Sequence, residues 1–429
     1  MGRRTIPVLL VLLALVLALG AAPAAAVADC NGTSTGLIPL TDLGTAEYLG
    51  SQGGLYPGGS NEIPDGHRAL GETLASQVAP RGPDGQYSAD GKIVIISIGV
   101  SNTLAQFNGF TTVIEREGGV NPSVLIANTA QTGRALGQWA QQSSDQTWNR
   151  ADQRIQELGG TPEQVQVAWM MLPPRTRGPR TLDQAEADLA PLVRVVQNAK
   201  ERYPNLALMY VSSRMYGGYV PDADSEPNAY QHGFSVKWLI EQQIDGSSAL
   251  NADSAAGSVV APWLAWGPYL WADGLNPRSD GLIWECSDYA NDGVHPGETT
   301  GAVKVGQMLY DHFMDDPTAS WFDTDGSAEI PPPTDPPSTT SAPDLAEGAE
   351  STVPSNPEVA PDTARRQSDA ASTDRVRRDD QSGASVQAEA ARAGWPAATI
   401  VGVGLAGVVL GAIAGAAGTR LWFERSSRP

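Results

Sequence analysis

Late in the chain, Asn291-Asp292-Gly293-Val294-His295-Pro296-Gly297 sets an acid and a histidine three positions apart in a Gly- and Pro-rich turn. Only four histidines occur in 429 residues, so one held in such a turn is a strong candidate for chemistry. An Asp that accepts from one imidazole nitrogen fixes the tautomer and leaves the other nitrogen free to act as a base. That base needs a partner with a removable proton. Ser101 is the candidate: it lies in Gly99-Val100-Ser101-Asn102, directly after an apolar run, where a tight turn leaving a strand exposes a nucleophile. A serine hydroxyl becomes a useful nucleophile once a base takes its proton. Ser97 is the competitor, but it sits inside the apolar run and reads as a buried, hydrogen-bonded core serine.

The elements that must position these residues alternate. Residues 92–99 form a short apolar, β-branched run closed by Gly99, apolar on both faces as a buried parallel strand requires. Further strands are expected at 123–128, 165–170, 206–212 and 258–264. Helical patterns fall at 69–78, 133–158, 182–203, 228–244 and 299–314. Strand–helix alternation over this length predicts one α/β domain with a parallel sheet and helices on both faces. Ligands in such sheets bind outside the carboxyl ends of the strands. Ser101 and the Asp-His turn are both expected there.

The pattern resembles the SGNH hydrolases, also called the GDSL esterase/lipase family, over roughly residues 92–313. Gly99-Val100-Ser101-Asn102 is similar to that family's first block, with Val100 where the family has Asp. Asn128 followed five residues on by Gly133 fits the second block, and Asp292-x-x-His295 with Pro296 fits the last. The resemblance implies a three-layer α/β/α sandwich of flavodoxin-like type with a mostly parallel five-stranded sheet. It also implies ester hydrolysis by Ser101, His295 and Asp292, with the amides of Ser101 and Gly133 stabilising the oxyanion. The family's third block, Gly-x-Asn-Asp, is missing: after the third strand stand Ala168-Trp169-Met170-Met171-Leu172, without a side-chain amide. Losing one oxyanion donor costs on the order of a hundredfold in rate. Asn102 and Gln131 are the candidate substitutes, with plain surface roles as the alternative for each.

Several other residues invite a role. Ser212-Ser213-Arg214 ends the fourth strand, which brings Arg214 within reach of the pocket to bind an anionic or hydroxyl-rich group. A salt bridge with one of the many carboxylates is its alternative. Trp263, Trp266, Tyr269, Trp271 and Trp284 cluster before the Asp-His turn, either as a platform for sugar rings or as loop packing. His67 reads as a polar surface histidine, and capping and surface exposure suffice for Glu226 and His232. No metal-ligand spacing and no phosphate loop is present, and no cofactor is expected.

The formal net charge of −20 argues against nucleic acid, which favours clustered Lys and Arg. Residues 1–28 read as a secretory signal: Arg3 and Arg4, an apolar stretch, then Ala26-Val27-Ala28 as the cleavage site. The two cysteines, Cys30 and Cys286, then most simply form one disulfide. The domain is expected over 29–326, with an irregular N-terminal arm anchored by Leu55, Tyr56 and Pro57. Residues 327–394 read as a disordered Pro/Ser/Thr-rich stalk. Residues 395–418 are apolar and uncharged, long enough for one membrane span, and residues 419–429 form a basic cytoplasmic tail. The expected protein is a surface-anchored serine esterase acting on an acyl ester, plausibly on carbohydrate. Its rival is an inactive glycan-binding relative.

Overall fold

Residues that are apolar on both faces leave a strand no option but the middle of a covered sheet, and β1 (Ile93–Gly99) is buried at every position. Each fully buried Ile or Val there contributes about 2 kcal/mol relative to exposure. The computed structural model describes residues 27–324, except 144, 175–180 and 221–224. β2 (Val124–Ala127), β3 (Val165–Met171), β4 (Leu208–Val211) and β5 (Trp263–Trp266) join β1 in a five-stranded sheet of order β2-β1-β3-β4-β5, parallel throughout. The strand order reverses at β1, so the crevice where a ligand binds opens at its carboxyl end.

Helices cover both faces. On one side lie α1 (Asp65–Ala75), α2 (Ser101–Glu117) and α6 (Gly301–Asp315); on the other lie α3 (Gln146–Glu157), α4 (Leu189–Arg202) and α5 (Asn228–Ile244). The architecture is a three-layer α/β/α sandwich. α2 and α6 pack most closely, because Gly109 and Gly306 let their backbones meet: a Cβ on Gly306 would lie 2.3 Å from the Gly109 carbonyl carbon.

Three of the departures from the sequence reading have a local cause. The helix expected at 182–203 is split into Leu182–Ala187 and α4, because Pro191 has no N–H for the carbonyl of Ala187. That expected at 133–158 is split because Asp145 caps a new helix, accepting from the Thr147 amide at 2.7 Å. The last strand begins at Trp263 rather than 258, since Pro262 cannot donate to a ladder.

The N-terminal arm lies against the segments that lead to the Asp-His turn. Cys30 and Cys286 form a disulfide with Cα atoms 5.5 Å apart. Asp273 accepts from Ser34 Oγ, the Thr35 amide and hydroxyl, and the Gly36 amide, at 2.6–3.0 Å. Burial pushes the Asp273 carboxyl up, but these donors outweigh it and hold its pKa below the usual carboxylate range. Tyr56 is buried as an anchor, and its hydroxyl accepts from the Trp266 amide at 3.2 Å. Among the described residues no helix is long and apolar enough to cross a membrane. The expected stalk, span and tail lie outside the described residues, as does all but the end of the leader.

Candidate active site

β1 ends at Gly99, Val100 is extended, and α2 starts at Ser101, so the serine sits on the first residue of a helix at the strand's carboxyl end. Thr103 pins this turn: its hydroxyl accepts from the Val100 amide at 3.1 Å and donates to the Met171 carbonyl at 2.6 Å. The Ser101 amide lies among the first N–H groups of the helix, which have no intrahelical partner and point where negative charge is favoured.

Ser101 Oγ and His295 Nε2 are 2.8 Å apart, and His295 Nδ1 is 2.6 Å from Asp292 Oδ2. The other Asp292 oxygen accepts from the amides of Val294 and His295 at 2.9 and 3.0 Å. Burial pushes the Asp292 carboxyl up, yet the His295 amide and imidazole and the Val294 amide prevail, and its pKa lies below the ordinary value. An ionised Asp292 accepts the Nδ1 proton and leaves Nε2 as the basic face toward Ser101. The turn holding the pair is closed by Ala290 donating to the His295 carbonyl at 2.8 Å. Gly293 takes φ +68° where a Cβ would lie 2.3 Å from the Tyr219 carbonyl oxygen, so no other residue fits. With the His295 and Asp292 side chains 42% and 38% exposed, the site is an open rim rather than a closed chamber.

The loop after β2 is tied to β1. Ser97 is fully buried, and its hydroxyl donates to Asn128 Oδ1 at 2.7 Å while accepting from the amides of Thr129 and Ala130. The Gln131 amide donates to the Gly99 carbonyl at 3.0 Å, and Arg134 closes a turn onto the Gln131 carbonyl. Gly133 occupies that turn at φ +77°, the left-handed position that favours glycine. Its amide meets no protein acceptor among the described residues.

Neither proposed substitute donor faces the site as expected. Asn102 is buried and its side-chain amide donates to the Val294 carbonyl at 2.9 Å, bracing the histidine turn. Gln131 donates to the carbonyls of Thr147 and Thr129, inside its own loop. At the end of β3, Ala168 to Leu172 are fully buried, and Thr103 holds the Met171 carbonyl.

Arg214 lies beyond the carboxyl end of β4, partly buried, and among the described residues forms no salt bridge. The five aromatics before the turn, Trp263, Trp266, Tyr269, Trp271 and Trp284, are each at most 4% exposed, which makes them packing and removes the sugar platform. His67 is buried too, bonded through Nε2 to the Leu264 carbonyl at 2.7 Å and stacked on Trp263; the apolar wall outweighs its polar neighbours in sequence. Glu226 does cap α5, accepting from the Tyr230 amide at 3.2 Å, but His232 is buried rather than exposed. The bracing by Asn102 and Thr103 escaped the sequence reading, although both follow Ser101 on the first turn of a helix. The contact of the arm beside the turn, the Asp29 amide donating to the Tyr219 carbonyl at 2.9 Å, left no signal in the sequence.

No protein-family model matches the chain, and no curated protein matches it in sequence. Solved structures share low likeness with it. A lipase from a goat rumen metagenome is 10% identical, over 52% of this chain and 97% of its own, with a TM-score of 0.31. The periplasmic domain of a lipopolysaccharide acetyltransferase from Salmonella ser. Paratyphi A is 14% identical, over 59% and 99%, at 0.30. A structure described as a platelet activating factor from Streptococcus pneumonia is 15% identical, over 58% and 91%, at 0.29.

Proposed function

We propose that the chain is an SGNH-type serine esterase that hydrolyses acyl esters, with Ser101, His295 and Asp292 as its catalytic residues. One observation carries this reading: the unbroken run from Ser101 Oγ to His295 Nε2 at 2.8 Å and from His295 Nδ1 to Asp292 Oδ2 at 2.6 Å. In this reading Ser101 Oγ attacks the acyl carbon while its proton passes to Nε2. Asp292 holds the ring and stabilises the imidazolium. The tetrahedral oxyanion is met by the amides of Ser101 and Gly133. Collapse expels the alcohol, which leaves with the proton from Nε2, and a water activated by the same nitrogen releases the acid. Without a third-block amide, the hole has one donor fewer than the family's, and a turnover on the order of a hundredfold below a complete site follows.

An open rim supports a substrate whose ester projects from a larger molecule, and O-acyl groups on carbohydrate fit that description. The leader at 1–28, the stalk and the apolar 395–418 stretch support a domain held outside the cell by a C-terminal span. An inactive glycan-binding relative is the second reading. The absent third-block amide favours it, and the burial of its aromatic platform weighs against it.

The test is labelling by a fluorophosphonate probe, with turnover of p-nitrophenyl acetate, in wild type and Ser101→Ala. Serine-dependent labelling and turnover are expected. Absence of both in the folded wild type overturns the esterase.

A further inference from the structure

We infer that Arg214 is the specificity residue of this site, selecting an ester substrate that carries an anionic group, a carboxylate or phosphate, no more than about 10 Å from the scissile bond. The inference rests on the serine-esterase reading and adds a substrate class to it.

Sheet register places the residue. Gly99 of β1 pairs with Met171 of β3, and Met170 pairs with Val211 of β4, which sets Ser212 level with Gly99. Ser101 and Arg214 each lie two residues past that level, at the carboxyl ends of strands separated by β3. Two strand spacings amount to roughly 10 Å. Both side chains therefore belong to the end of the sheet where ligands bind.

Partner bookkeeping then separates Arg214 from the other described arginines that are partly or fully buried. Arg202 is paired with Asp152 and Arg278 with Asp280. Arg214 is partly buried, and among the described residues nothing accepts from its guanidinium. Glu226, the carboxylate whose charge acts on Arg214, is turned to other donors: the Gly217 amide at 2.6 Å, the Trp271 indole at 2.9 Å and the Tyr230 amide. The Tyr289 hydroxyl donates to the Tyr216 carbonyl instead. A partly buried guanidinium whose nitrogens still reach water has its planar fork open to a carboxylate or phosphate in two-point contact. In a chain of net charge −20, long-range attraction does not bring in an anion, so recognition must be local.

The experiment compares kcat/KM for p-nitrophenyl acetate and for the anionic mono-p-nitrophenyl succinate, in wild type, Arg214→Gln and Arg214→Lys. Wild type is expected to favour the anionic ester. The ratio should fall at least tenfold in Arg214→Gln, mainly through KM, with an intermediate loss in Arg214→Lys, which keeps the charge and loses the fork. Calorimetric titration of Ser101→Ala with succinate and with inorganic phosphate, with and without Arg214→Gln, reads binding apart from turnover and distinguishes the two anions. An unchanged ratio in both variants, or anion binding indifferent to residue 214, overturns the inference while leaving the esterase in place. Arg214-dependent anion binding in a protein that turns over neither ester sinks the esterase and keeps the anion site.

Discussion

The side-chain amide of Asn102 donates to the carbonyl of Val294 at 2.9 Å, so the residue after Ser101 grips the residue before His295. Two segments far apart in sequence are thereby joined beside the Ser101–His295 pair. That contact touches neither Ser101 nor His295, and it is expected to hold their 2.8 Å separation.

Asn102→Ala removes that grip. A misplacement near 1 Å costs about a hundredfold in rate, and the expected fall in kcat is about tenfold to a hundredfold. Stability should drop by only about 1 kcal/mol, the net worth of an ordinary hydrogen bond. Turnover of p-nitrophenyl acetate measures the first and a urea titration the second. The low-field proton NMR signal of the His295–Asp292 bond should broaden, which simple loss of an oxyanion donor would not cause. A sharp, unshifted signal would contradict the positioning role.

α6 follows the histidine turn, and its seat on α2 sets the height of that turn. Lys304 ties α6 to the same region through Asp288 at 3.0 Å. Gly306→Val introduces branched atoms where a Cβ alone already meets the Gly109 backbone at 2.3 Å. Overpacking of this kind costs about 2–3 kcal/mol. Thermal melting should fall and kcat should fall with it, because the helix can move only by carrying His295. Unchanged melting would show that the crossing tolerates separation.

The sequence made the sheet legible where chemistry leaves no choice: β1 is apolar on both faces, and the spacing of Asp292 and His295 matches a turn that aims one nitrogen outward. It was less legible where one polar atom or one missing N–H decides. Pro191, Asp145 and Pro262 each cut an element that hydrophobic periodicity had drawn longer, since a lost or captured backbone bond outweighs propensity. Side-chain direction was the other blind spot. Asn102 and Gln131 are chemically able donors, yet the carbonyls of Val294 and Thr147 claim them. The tryptophans before the turn carry no sequence mark of being inside or outside, and burial took all of them.

The disulfide ties the arm to the segment just before the Asp292–His295 turn. Cys30→Ser with Cys286→Ser frees the arm, and with it the bond from the Asp29 amide to the Tyr219 carbonyl beside Gly293. The chain-entropy effect of so long a loop is at most about 5 kcal/mol. Lower melting and a several-fold drop in kcat are expected together. If melting falls while turnover stays constant, the bridge serves the fold alone.

Glu226 makes stability depend on pH. Burial pushes its carboxyl up to about 7, against the donors from Trp271, Gly217 and Tyr230 and the Arg214 charge, which pull it down. Tyr216, Tyr269 and Tyr289 also face it, and burial raises each of their pKa values, keeping them neutral over the range tested. The unfolded chain ionises this carboxyl near its ordinary value, so between about pH 4.5 and pH 7 the folded state holds a proton that the unfolded state has released. Folding stability from this group is thus full below pH 4.5, declines as pH rises through 7, and is flat beyond. A displacement of that size corresponds to at most about 3 kcal/mol, less where water reaches the side chain. Urea midpoints of wild type and Glu226→Gln at pH 5 and pH 8 isolate it, because every other titration is common to both. Wild type should lose more stability over that interval than the variant. Equal losses would mean that Glu226 titrates alike in the folded and unfolded chain.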